Sequence, residues 1–130
     1  MRAVPDSTAA LNNVGSQMFE SGRYEEALQP LRKALKLQPN LDQARITLSD
    51  SLAALAEQRS QAGRLDTALL YLREAVEVEP DSAERHNDLA VVLANLGRYD
   101  EAEFAFRQAL LLDPDHPTAG ENMRRLQQVQ

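Results

Sequence analysis

The chain has 130 residues, with 14 Lys and Arg against 20 Asp and Glu, a net charge of −6, 43% hydrophobic residues and no cysteine. This composition suits a folded chain of about one domain and excludes a disulfide framework, a thiolate metal site and a cysteine nucleophile. The acidic balance disfavours nucleic acid and anionic membranes as partners, and no apolar run reaches the ~20 residues that span a bilayer.

In chain order, Met1–Asp6 has no apolar stretch of the signal-peptide kind and reads as a short flexible lead, so the expected compartment is the cytoplasm. Asp6 or Ser7 is a candidate cap for a first helix. That helix carries Leu11, Val14 and Met18 at helical spacing and ends before Gly22. A second helix follows with Ala27, Leu31 and Ala34 on one face and stops at Pro39. Pro30 lies inside it, removes one backbone hydrogen bond and predicts a kink on the outer side.

The same punctuation then recurs. Gly22, Gly63 and Gly97 stand 41 and then 34 positions apart. Ala27, Ala68 and Ala102 repeat those two intervals, as do Ala34, Ala75 and Ala109, and Pro39, Pro80 and Pro114. Each unit reads as two helices joined at a glycine and closed by a proline. In the third unit, Asp81-Ser82-Ala83-Glu84 resembles a capping box, with Asp81 facing the free amides. Ala90 and Ala102 predict a close helix crossing, with Leu89, Leu93, Tyr99 and Phe106 filling the space around it. Residues 117–130 read as a last helix, with Ala119, Met123 and Leu126 inward and Glu121, Arg124 and Arg125 outward.

The first interval contains seven extra residues, because Pro39 to Gly63 spans 24 positions where Pro80 to Gly97 spans 17. Seven residues are two helical turns with a rotation error of only about 20°. The apolar face therefore survives, and one uninterrupted helix of roughly 31 Å is expected over Leu41–Ala62. Either a tolerated insertion or a contact for another chain would account for it.

These residues resemble the tetratricopeptide repeat family, whose pattern runs W-x₂-L-G-x₂-Y…A-x₃-F…A…P. The first repeat matches through Leu11, Val14, Gly15, Met18, Gly22, Tyr24, Ala27, Leu31, Ala34 and Pro39. The third matches through Leu89, Ala90, Leu93, Gly97, Tyr99, Ala102, Phe106, Ala109 and Pro114. The opening Trp is replaced by Leu11, Leu52 and His86, and Arg59 stands where a large apolar residue is usual. The resemblance implies an all-α, right-handed superhelical α-solenoid of antiparallel helix pairs, about seven helices in all. Its expected organisation is one domain over 7–130, with repeats at about 8–41, 42–82 and 83–116 and a capping helix at 117–130.

No catalytic or metal constellation emerges, and no cofactor is implied. His86 and His116 have no second His or Cys at three or four residues. His86 reads as a packing residue, His116 as part of a polar turn and Glu84 as a cap. The serines have no histidine partner, and there is no phosphate loop. Arg32, Lys33 and Lys36 form a short basic patch beside Glu25 and Glu26 that reads as a solvated face.

The resemblance implies a non-catalytic protein-interaction module, a scaffold or adaptor whose first helices line a concave face. The candidate partner-binding residues there are Asn12, Asn13, Ser16 and Phe19 in the first repeat, Asp50, Ala53 and Glu57 in the second, and Glu84, Asn87, Val91 and Asn95 in the third. Amides offer both donor and acceptor to an extended backbone, and small residues leave room for side chains. A solvated helix face is the competing reading of this stripe. Some family members clamp a C-terminal carboxylate with Lys, Arg and Asn on this face. Here Asn12 and Ser16, then Glu84 and Asp88, hold the matching places, and the acids disfavour such a ligand. A neutral or basic protein segment is the expected partner. Self-assembly through the ends of the stack, or a regulatory role inside a larger protein or enzyme, are the alternatives.

Overall fold

In the computed structural model, residues 7–129 are described, and the expected flexible lead lies outside them. The described residues form seven α-helices and no strand: α1 Thr8–Glu20, α2 Tyr24–Leu37, α3 Asp42–Gln61, α4 Leu65–Val78, α5 Ala83–Asn95, α6 Tyr99–Leu112 and α7 Ala119–Val129. Neighbouring helices pair in sequence, and the pairs stack so that α2 meets α3, α4 meets α5 and α6 meets α7. The fold is an all-α solenoid, as the sequence register implies.

The three glycine turns share one hydrogen-bond scheme. Gly22, Gly63 and Gly97 have φ of 78°, 78° and 80°, where a side chain would be strained. The next residue in each turn donates to a carbonyl five positions back: Arg23 to Met18 at 2.8 Å, Arg64 to Arg59 at 2.7 Å and Arg98 to Leu93 at 2.9 Å. This is the Schellman closure, and it reverses the chain so that the two helices lie side by side.

Small residues set how closely those helices approach. Ala27, Ala68, Ala102, Ala34, Ala75 and Ala109 are all fully buried. Gly15, Ala56 and Ala90 share one register, as do Leu31, Leu72 and Phe106; all six are buried, and Gly15 lies directly against Leu31. One core gathers Leu28, Leu31, Leu48, Leu52 and Leu55. A second gathers Leu69, Leu72, Leu89, Leu93, Phe106, Met123 and Leu126. Each buried leucine contributes about 2 kcal/mol of apolar burial. Tyr71 packs against both cores, and the Arg59 guanidinium lies 5.8 Å from its ring centre.

The extended middle helix is continuous. α3 has 20 residues against 13 in α1 and in α5. Leu48 and Ser49 are buried, and so are Leu55 and Ala56 one heptad later, so the insertion keeps the apolar face in place. Its extra turns are covered within the chain: Ala44 and Leu48 join a core with Ala34, Ala75 and Val78.

Several local expectations change. Tyr99 is 38% exposed and rims the surface beside the core that it was expected to fill. The cap of α5 is Ser82, whose Oγ accepts from the Arg85 amide at 3.2 Å, and not Asp81. Ser7 caps α1 in the same way, from the Ala10 amide at 3.2 Å.

Candidate functional site

The first helices of the pairs and α7 lie side by side, α1 against α3, α3 against α5 and α5 against α7, on the face expected to be the inner one. Between α3 and α5 lies a concavity of about 250 Å³ lined by Ala53, Glu57, Asp88, Val91 and Asn95, among others. It continues into a second of about 320 Å³ between α5 and α7, which shares Val91 and Asn95 and adds Ala94, Asn122 and Arg125. Ala53, Glu57, Val91 and Asn95 are thus brought together, on helices that the glycine turns and alanine crossings hold side by side.

An arginine braces this groove. Arg85, with a side chain only 13% exposed, donates from Nη2 to Asp50 at 2.6 Å, from Nη1 to Asp88 at 2.7 Å and from Nε to the buried Ser49 Oγ at 2.8 Å. It ties α3 to α5. Asp50 is therefore held by this brace. Burial pushes the Asp88 carboxyl up to about 6, with Arg85 opposing the shift and Glu84 and Glu57 adding to it. Glu57 is exposed and accepts from Gln61 Nε2 at 3.0 Å.

The other candidate residues are placed differently. Asn87 is 5% exposed, lying under α7 instead of on the open surface. It donates to Thr118 Oγ1 and accepts from Asn122 Nδ2, each at 3.3 Å. Glu84 is not a cap. Its Oε1 takes a hydrogen bond of 2.9 Å from His116 Nε2. His116 is nearly buried, because its Nδ1 accepts from the amides of Thr118 and Ala119 at 3.3 and 3.1 Å and so caps α7. This assigns the hydrogen to Nε2. His86 is partly buried and donates from Nε2 to the Pro80 carbonyl at 2.8 Å.

In α1, Asn13 is exposed, and Phe19 packs against Tyr24 with ring centres 5.6 Å apart. Asn12 Oδ1 and Ser16 Oγ are buried and have no hydrogen-bond partner. These four lie outside the two concavities between α3 and α7. Asp88, which the sequence places on the same face as Val91 and Asn95, also lines the groove.

Among the described residues, no three His, Asp or Glu side chains gather as a metal-ligand set, and no helix is long and apolar enough to cross a membrane.

Comparison with known proteins places this architecture. Among solved structures, "MamA 41-end from Desulfovibrio magneticus RS-1" superposes with a TM-score of 0.64 at 20% identity, over 94% of this chain and 65% of that one. The chain thus spans about two thirds of the MamA chain's length. The first TPR of Spaghetti (RPAP3), bound to the HSP90 peptide SRMEEVD, gives 0.63 at 17% identity over 99% of this chain and 97% of that one. The Arabidopsis OM64 TPR domain gives 0.64 at 18% identity, over 95% and 97%. At such identities the likeness is one of fold. No curated protein sequence matches. Two family models, each described as a tetratricopeptide repeat, match residues 7–38 and 60–126, leaving between them a stretch that holds most of the lengthened α3. With the larger match covering half of its length, the chain belongs to the tetratricopeptide repeat family, whose domains are generally non-catalytic protein-interaction modules.

Proposed function

We propose that this chain is an adaptor without chemistry of its own, which takes an extended segment of another protein along the groove between α3, α5 and α7. The segment is neutral or basic. Support comes from Asp88, which is held beside Glu57 at a site where burial resists its ionisation. Arg85 offsets only part of the cost of burying this carboxylate beside Glu84 and Glu57, and a partner's ammonium or guanidinium group adds to that counter-charge. Ala53, Val91 and Ala94 leave room for side chains, and Asn95 and Asn122 offer donors and acceptors to a backbone.

The peptide SRMEEVD seen on the RPAP3 domain is acidic, and that ligand is a property of that protein. The Glu57 and Asp88 pair argues for the opposite charge here. A peptide array that includes acidic C-terminal, neutral and Arg- or Lys-bearing sequences tests the proposal. Basic and neutral peptides are expected to be retained, with Glu57→Lys lowering retention of the basic ones at least fivefold. Strongest retention of acidic C-terminal peptides would overturn it.

A further inference from the structure

A further groove lies at the opposite end of the stack, away from the inner one. Leu11, Val14 and Met18 of α1 lie beside Pro30 of α2 in an open groove of about 710 Å³. Their register equivalents in the later pairs include Leu52 and Leu55, then Leu89 and Leu93. Those residues are between 0% and 9% exposed, because α2 packs on α3 and α4 packs on α5. Val14, by contrast, is 42% exposed. The chain thus shows twice what covers this kind of groove, namely a helix of fourteen residues laid along it.

The rim charge specifies the occupant. The groove of α3 and α4 has Glu74 and Glu77 on α4, and Glu74 takes a bidentate pair from Arg32 of the covering helix, at 2.8 and 2.7 Å. In the groove of α1 and α2 the same two register positions are Lys33 and Lys36. The sign is reversed, so the covering helix needs acids where α2 carries arginine. A second copy of this chain does not fit. Its helices already use their buried stripes in their own stack, and on α6 the exposed Phe104 and Leu111 flank Arg107 and Glu103, which are paired with each other.

We infer that the α1/α2 groove docks an amphipathic helix of a partner protein, about fourteen residues long, with an apolar stripe bordered by acidic side chains. It would seat as α2 seats on the next pair.

The probe is a fluorescein-labelled peptide with the α4 sequence Leu65–Val78 carrying Arg73→Glu. The intact chain is expected to bind it saturably, with amide resonances of Leu11, Val14, Met18 and Lys33 shifting while those of Asp88 and Val91 stay. Val14→Glu should weaken binding at least tenfold with unchanged far-ultraviolet circular dichroism. The double variant Lys33→Glu, Lys36→Glu should reverse the preference, favouring the peptide that retains Arg73. Three results would each overturn the inference: no binding at millimolar peptide, shifts confined to the inner groove, or a concentration-dependent dimer that Val14→Glu abolishes. The last would assign the face to a second copy. The peptide-array test of the inner groove is a separate experiment, with its own overturning result.

Discussion

Gly15 and Leu31 are in direct contact across the first helix pair, and a Cβ added to Gly15 would overlap Cγ of Leu31 and lie 2.6 Å from its Cδ2. Ala56 and Ala90 hold the matching positions in the other pairs without difficulty, so the first crossing is the tightest-fitted of the three. Gly15→Ala should therefore destabilise the chain by about 1–3 kcal/mol, although alanine favours helix, because Leu31 is fully buried and cannot swing away. Urea unfolding measures this. A stabilised variant would show that the α1/α2 spacing is not fixed by this contact.

Arg85 should matter more to stability than its count of ion pairs suggests. Removing it leaves Asp88 and Asp50 without their cation and Ser49 Oγ without its donor. Arg85→Ala is expected to cost about 2–3 kcal/mol, somewhat below a fully buried pair because both carboxylates keep some access to water. Arg85→Lys should restore only part of it, since an ammonium cannot match the three-way fork. Thermal unfolding of the two variants decides the order.

The Asp88 carboxyl gives stability a definite pH dependence. Its pKa is raised by burial to about 6 in the fold, against about 4 in the unfolded chain. Below pH 4 both states are protonated. Between about 4 and 6 the folded state holds the extra proton, so this group's contribution to stability declines as pH rises through that window and is level above it. The span is on the order of 2–3 kcal/mol. The difference in unfolding free energy between Asp88→Asn and the parent should thus grow from pH 4 to pH 6.5. A flat difference would mean that the carboxylate is better solvated than its burial indicates.

His116 secures the end of the stack. His116→Ala removes both the acceptor for the Thr118 and Ala119 amides and the link to Glu84. Amide exchange in Ala119–Val129 should quicken about tenfold, for a loss of about 1–2 kcal/mol, while α1–α4 stay unchanged. His116→Asn should recover part of the protection, because its side-chain oxygen can accept the same amides.

The helix pairs were legible in the sequence because steric rules act locally. A left-handed turn demands Gly22, Gly63 and Gly97, and a tight crossing demands alanine. The length of α3 was legible for the same reason, since a heptad insertion preserves helical phase. The candidate site was only partly so. Ala53, Glu57, Val91 and Asn95 follow from helical spacing on successive first helices. Asn87 does not, because its burial depends on where α7 returns to the stack, 31 residues later at Thr118. Arg85 and His116 were missed for a related reason. Their partners lie 36 and 32 positions away, and only the superposition of one pair on the next brings them within reach.

Tyr71 belongs to both halves of the interior, with Arg59 laid over its ring. A row of repeats could in principle come apart piecemeal, each pair losing its structure at its own temperature. A shared aromatic ring removes that freedom, since neither half can open without stripping contacts from the other. Heating should then show one cooperative transition and not two, and the domain is either whole or absent, with no half-length form left standing.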